Sequence, residues 1–121
     1  MNFVHLRIFG DELDIDAVRS NLMLAPDVVS IPDENTNLRK TSWTYTEEAE
    51  TDRLKCVVDS LIVRLYDKKD FIKELSEKGN EIYLVIAYYV ESYQGIISVD
   101  SSLLSMLGEM NIELVVDIMA P

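Results

Sequence analysis

The stretch from Glu81 to Val90 constrains the fold more than any other. Ile82, Leu84, Ile86 and Tyr88 fall on one face of an extended chain, and Tyr83, Val85, Ala87 and Tyr89 on the other. Apolar residues on both faces predict a central strand that is covered on both sides. The run is also about half the roughly 20 residues that a membrane helix requires, so it does not read as a membrane span.

The segments before it supply its neighbours. Val4, Leu6 and Ile8 alternate with Phe3, His5, Arg7 and Phe9, the period of a strand with one core face and one mixed face. Gly10-Asp11-Glu12 turns the chain, and Asp14 is placed to cap a short helix that buries Ile15, Val18 and Leu22 and closes at Pro26. Val28, Val29 and Ile31 form a short strand, Pro32 to Asn37 reads as a loop, and Thr41-Ser42-Trp43-Thr44-Tyr45 reads as the returning strand.

Glu47-Glu48-Ala49-Glu50-Thr51-Asp52 suits a helix N-terminus, because its acids offset the positive end of the helix dipole. Leu54, Val57, Val58, Leu61, Ile62 and Leu65 then recur at helical spacing. Asp67 is placed to cap a second helix that buries Phe71, Ile72 and Leu75 and stops at Gly79. Beyond the central strand, Ser92-Tyr93-Gln94-Gly95 predicts a hairpin turn into a strand at Ile96-Ile97-Ser98-Val99. Asp100 caps a helix with Leu103, Leu104 and Leu107 inward, ending near Gly108, and a last strand runs from Ile112 to Ile118.

The order β-α-β, β-α-α-β, β-α-β predicts a single α+β domain over residues 1–121. Its expected form is a two-layer sandwich in the ferredoxin-like style, with helices on one face of a mixed, mainly antiparallel sheet. The other sheet face is left open to a partner or a second subunit.

Composition narrows the function. Among 121 residues there are 22 acidic and 11 basic side chains, a formal charge of −11, with 48% hydrophobic residues. A chain of this length buries roughly two thirds of its unfolded surface without metals or disulfides. It is too apolar for a disordered acidic tail, so a folded body wears the charge. Nucleic acid and anionic membrane are poor partners for it, and a basic protein is a better one. A single Cys56 and an N-terminus without a basic, apolar leader point to a reducing, cytoplasmic setting.

Chemistry is thinly represented. With His5 the lone histidine and Cys56 the lone cysteine, the usual zinc sites are excluded. Cys56 reads as partly buried packing beside the apolar stripe rather than as a nucleophile paired with His5, and His5 as a structural residue. Asp11, Glu12, Asp14 and Asp16 lack the glycine and terminal glutamate of a calcium loop, and read as a turn and helix start. The four glycines are scattered, so no phosphate loop exists, and no cofactor motif is present. Asp117 interrupts an apolar strand, which a cross-strand ion pair with Arg7 or His5 would explain. Trp43 beside Tyr45 reads as a sheet or core aromatic, or as a partner anchor.

Gly10-Asp11-x-Leu13-Asp14, Leu24-x-Pro26, Ser42-Trp43-x-Tyr45, Gly95-Ile96-x-x-Val99 followed by Leu103-Leu104, and Glu113-Leu114-x-x-Asp117-Ile118 together resemble the bacterial family catalogued as domain of unknown function 4279. The match spans nearly the whole chain in order. It departs at Arg39-Lys40-Thr41, where the family pattern has a Lys-Gly step. The resemblance implies a small stand-alone α+β protein without established catalysis, in a family associated with predicted immunity proteins of toxin systems. Together with the charge it leads to an expectation: a non-catalytic protein that neutralises a basic partner, such as a toxin nuclease. Asp11, Glu12, Asp14, Asp16, Trp43, Glu47, Glu48, Glu50 and Asp52 are the candidate contacts. The alternative is a homo-oligomeric scaffold, with a homodimer as one form, or a small-ligand domain using Trp43, Tyr83, Tyr88, Tyr89 and Tyr93.

Overall fold

A computed structural model describes residues 1–32, 40–90 and 95–119. Along β1 (Asn2–Gly10) the even residues are buried and the odd ones half-buried, as the alternation predicts. Then follow α1 (Ile15–Leu22), β2 (Val28–Ser30), β3 (Thr41–Ala49) and a single 3-10 turn at Thr51–Arg53. The chain continues through α2 (Leu54–Tyr66), α3 (Lys69–Glu77), β4 (Glu81–Tyr89), α4 (Ser101–Glu109) and β5 (Glu113–Met119). The sheet order is β2-β3-β1-β4-β5. All pairings are antiparallel except β4 with β5, whose parallel register needs the crossover that α4 supplies.

The even residues Val4, Leu6, Ile8, Ile82, Leu84 and Ile86 share one core with Val18, Leu22, Leu61, Ile62, Leu65, Ile72, Leu103 and Leu107 from the helices. Val85 and Ala87 stand outside that core, on the opposite sheet face. The molecule is therefore a two-layer α+β sandwich with helices on one face. Each fully buried Leu or Ile contributes roughly 1.5–3 kcal/mol, so the even face holds the fold together and the odd face is available for other uses.

Local chemistry explains two of the boundaries. Asp14 caps α1 by accepting from Ala17 N at 3.1 Å. Gly79 adopts φ +92° behind α3, a conformation that costs glycine little. On the surface of the helix layer, Tyr66 of α2 donates to Glu109 of α4 at 2.6 Å, and Lys73 of α3 reaches the same carboxylate at 3.4 Å. The Tyr66 hydrogen bond, aided by Lys73 and Lys69, holds the Glu109 carboxyl below its ordinary range.

Several expectations need correction. Glu47 and Glu48 do not open a helix: β3 continues to Ala49 because β1 offers pairing partners down to Asn2, and Ala49 is buried. Residues 95–100 form no strand, and the expected hairpin turn at 92–94 lies outside the described residues. Ile97 and Val99 do alternate inward against the core, but β5 occupies the flank of β4 that they would need. Asp67 ends α2 instead of capping α3, whose first turn has no side-chain cap. Leu104 is exposed and Met110 is fully buried, because the inward stripe of α4 runs through Leu103 and Leu107. The odd face of β4 carries no helix among the described residues, although both its faces are apolar.

Candidate functional site

Register alone builds the open face as a grid. Glu48, Phe3, Ala87 and Asp117 form one row across β3, β1, β4 and β5. Thr46, His5, Val85 and Val115 form the next, and Thr44, Arg7, Tyr83 and Glu113 the third. Ser42, Phe9 and Glu81 close it. The centre is aromatic and aliphatic around His5 and Arg7, and the acids Glu48, Asp117, Glu113 and Glu81 stand around its margin. Standard strand spacings make this patch about 14 Å across and about 20 Å long.

Side chains cover the centre without help from a helix. Phe3 stacks on His5 and meets Tyr89 edge-on, with ring centroids 6.1 Å apart in each case. Phe9 meets Tyr83 edge-on at 5.9 Å. Between these pairs Val85 and Ala87 keep only 7% and 4% of their surface exposed, which is how an uncovered strand face can still be apolar. A groove of about 360 Å³ runs across the patch, lined by Arg7, Phe9, Tyr83, Val85, Val115, Val116 and Asp117.

His5 Nδ1 lies 2.8 Å from Thr46 Oγ1. Burial and then the neighbouring Arg7 charge lower its pKa, against a weaker opposite pull from Asp27. Arg7 makes no ion pair among the described residues. Asp117 does share its face with Arg7 and His5, but β4 separates β5 from β1, and Asp117 sits in the row of Ala87 while Arg7 sits in that of Tyr83. The expected cross-strand ion pair is thus absent among the described residues.

The other candidate residues scatter. Trp43 is fully buried on the core side of β3, opposite Ile8, and contributes no exposed surface; its indole N–H finds no acceptor among the described residues. Glu47 points to the helix side, where Arg64 of α2 lies 3.7 Å away. Asp11 and Glu12 line an open cleft of about 540 Å³ with Lys78, Gly79 and Asn80. Asp16 is exposed on the first turn of α1, which Asp14 caps. Glu50 and Asp52 are exposed around the 3-10 turn at the other end of β1. Because Gly10 pairs with Thr41 and Asn2 with Ala49, the acidic segments 11–16 and 47–52 lie at opposite ends of β1, about 26 Å apart by strand rise. They form no common surface, and Glu48 alone among the candidates belongs to the open face.

Phe3, Arg7, Phe9, Tyr83, Glu81 and Glu113 are the open-face residues that acidic runs did not reveal. Their signal was the mixed face of the first strand, read through the pairing that only the fold supplies. Of the alternative's aromatics, Tyr83 and Tyr89 lie here, Tyr88 is buried in the core, and Tyr93 lies outside the described residues.

The remaining chemistry stays dispersed. Cys56 is exposed rather than packed, on the outer side of α2, in a shallow groove with Asp52, Lys55, Asp59 and Arg64. The sheet and core separate it from His5, so the two cannot act together. Among the described residues no three His, Cys, Asp or Glu side chains converge to hold a metal ion, and no helix is long and apolar enough to cross a membrane.

The model of the family described as Domain of unknown function (DUF4279) matches residues 1–121, the whole chain, and the protein belongs to that family. No curated protein and no solved structure was found to match it.

Proposed function

We propose that this member of the DUF4279 family is a non-catalytic acidic binding protein that neutralises a basic protein partner, most concretely an immunity protein that covers the active-site cleft of a cognate toxin such as a nuclease. The observation that carries this reading is the open sheet face, an aromatic and aliphatic centre around His5 and Arg7 with four carboxylates at its margin. Interfaces concentrate their affinity in a desolvated aromatic core and use the polar rim for orientation and rate. A patch of about 14 by 20 Å is smaller than the roughly 800 Å² per partner of a standard interface. It therefore serves as the interface centre, with the sheet ends completing the contact. Acidic side chains take the place of substrate phosphates against the toxin's basic cleft, as charge complementarity requires.

Purification of the natively expressed protein with its associates tests this. A basic protein is expected, bound more weakly as salt rises from low to moderate concentration. Tyr83→Ala is expected to weaken the complex at least about tenfold, as loss of a central aromatic does, and Asp16→Asn by no more than about twofold, as for a rim charge. Recovery of no basic partner, or affinity indifferent to salt, overturns the reading.

A small-ligand-binding domain is the second reading, favoured by the groove of about 360 Å³ that Arg7 lines together with Phe9 and Tyr83. Native mass spectrometry of freshly purified protein separates the two, since a retained small mass supports only the second.

A further inference from the structure

The two edges of the sheet are built differently. β2 spans only Val28–Ser30 and lies between Pro26 and Pro32, a short edge of the kind that resists pairing. β5 is more than twice as long, contains neither proline nor lysine, and leaves Val116 42% and Ile118 64% exposed. We infer that β5 is a homodimer edge, which pairs antiparallel with β5 of a second copy about a two-fold axis at Val116 to make a continuous ten-stranded sheet.

The backbone is set for it. Met119 O accepts from Val90 N, on the β4 side. A strand residue directs its N–H and C=O to the same side and its neighbours direct theirs to the other, so Leu114, Val116 and Ile118 present donors and acceptors at the outer edge that no other described residue takes up. With the axis at Val116, these residues meet as Leu114 with Ile118 of the second copy, Val116 with its own counterpart, and Ile118 with Leu114. All three are hydrogen-bonded pairs, and every side chain in them is apolar.

Charge selects this register. On the open face it sets Asp117 against Val115 of the second copy and Glu113 against Met119, so no acid faces an acid. A shift of the axis to Val115 places Glu113 opposite Asp117 twice, and a shift to Asp117 places that carboxylate against itself. Like charges directly opposite one another destabilise a pair of strands, so both neighbouring registers are penalised. Each protomer carries a formal charge of −11. Repulsion between the bodies opposes association and salt screens it, which gives dimerisation the opposite salt dependence from the capture of a basic partner. The two proposals therefore stand or fall separately.

Sedimentation equilibrium of the full chain, from about 1 to about 200 μM at low and moderate salt, reads the result directly. A monomer–dimer equilibrium that tightens with salt is expected. Val116→Lys sets two like charges on directly opposed residues at the axis, whose Cα atoms are about 5.5 Å apart, and is expected to raise the dimer dissociation constant at least about a hundredfold. Val115→Lys sets an ammonium group opposite Asp117 of the second copy, twice across the interface, and is expected to tighten the dimer severalfold, a gain that misfolding does not produce. Val63→Lys, the same charge change on the exposed outer side of α2, is expected to leave it within about twofold, as a charge remote from the interface should. A monomer at every concentration, a dimer unchanged by Val116→Lys, or a Val115→Lys dimer no tighter than that of Val63→Lys overturns the inference.

Discussion

Gly10 ends β1 beside Asn80, in the turn between α3 and β4, and alanine there tests whether the absence of a Cβ or mere turn propensity explains the residue. An added Cβ would lie 2.9 Å from Asn80 Cγ and closer still to Asn80 Oδ1. Asn80 is not free to step aside, because its Nδ2 donates to Leu75 O at 2.9 Å. Leu75 O also accepts from Asn80 N at 3.2 Å, so releasing the side chain costs one hydrogen bond, about 1 kcal/mol, without orphaning the carbonyl. Residual crowding adds about 1 kcal/mol, and the stiffer unfolded chain returns about 0.5 kcal/mol. Gly10→Ala should therefore cost about 1.5 kcal/mol, and Asn80→Ala about 1 kcal/mol. In the double variant the clash is gone and the same hydrogen bond is lost once, so the cost should be about 0.5 kcal/mol, some 2 kcal/mol less than the sum. Urea titrations of the four proteins measure the cycle. Additivity within about 0.5 kcal/mol would refute the steric account.

Two further perturbations read the opposite end of the sheet and its open face. Asn2 is fully buried, accepts from Tyr89 N at 2.9 Å and donates to Thr51 Oγ1 at 3.3 Å. Asn2→Ala should cost about 2 kcal/mol through the orphaned Tyr89 donor, and a thermal midpoint within about 1 °C of the wild type would contradict this. His5, held below its ordinary value of 6.5 by burial and Arg7, is favoured neutral in the fold while the unfolded chain still takes up a proton. Stability is thus complete above the unfolded pKa and falls as pH drops below 6.5, until the folded pKa is passed. The difference between wild type and His5→Gln in urea midpoints should show that slope between about pH 7.5 and 5, and a flat difference would remove His5 from the account.

Periodicity was sufficient wherever a side chain's own neighbours in sequence decide its environment. The stripe of α2 and the alternation of β1 and β4 are of that kind, as is the Asp14 cap, because burial on one face leaves a repeat of fixed length. It was insufficient where a distant strand decides. Glu47 and Glu48 are acidic enough for a helix start, and only the register with Val4 and Phe3 keeps them extended. Ile97 and Val99 alternate as strand residues do, but the place beside β4 goes to β5, which no local signal records. The site was less legible than the fold for the same reason. A sequence offers as contacts the acidic residues that stand close together in it, whereas Glu48, Glu81, Glu113 and Asp117 come from three strands that meet only through pairing.

The distribution of ion pairs decides how the charge of −11 can act. Lys40, Lys55, Arg64, Lys69, Lys73 and Lys78 each lie within 3.9 Å of a carboxylate, Glu81, Asp59, Asp100, Glu47, Glu109 or Glu74 among them. Such exposed pairs contribute about 0–1 kcal/mol each to stability, so they matter more for the cations they occupy. Outside these pairs, Arg7, Arg19, Arg53 and Lys68 are set against a larger number of acids, Asp11, Glu12, Asp14 and Asp16 at one end of β1, Glu48, Glu50 and Asp52 at the other, and Glu113 and Asp117 on the open face, with Arg7 in the middle. The ends are about 26 Å apart, more than three times the Debye length of about 8 Å at physiological salt. They cannot act as one steering field there, and only at low salt does the whole molecule attract a basic partner from a distance. On the proposed function, salt should therefore slow association with the basic partner, while dissociation, set there by a desolvated Phe3, Phe9 and Tyr83 centre, changes little. A salt effect confined to the dissociation rate would mean that the rim carboxylates, and not the aromatic centre, hold the complex together.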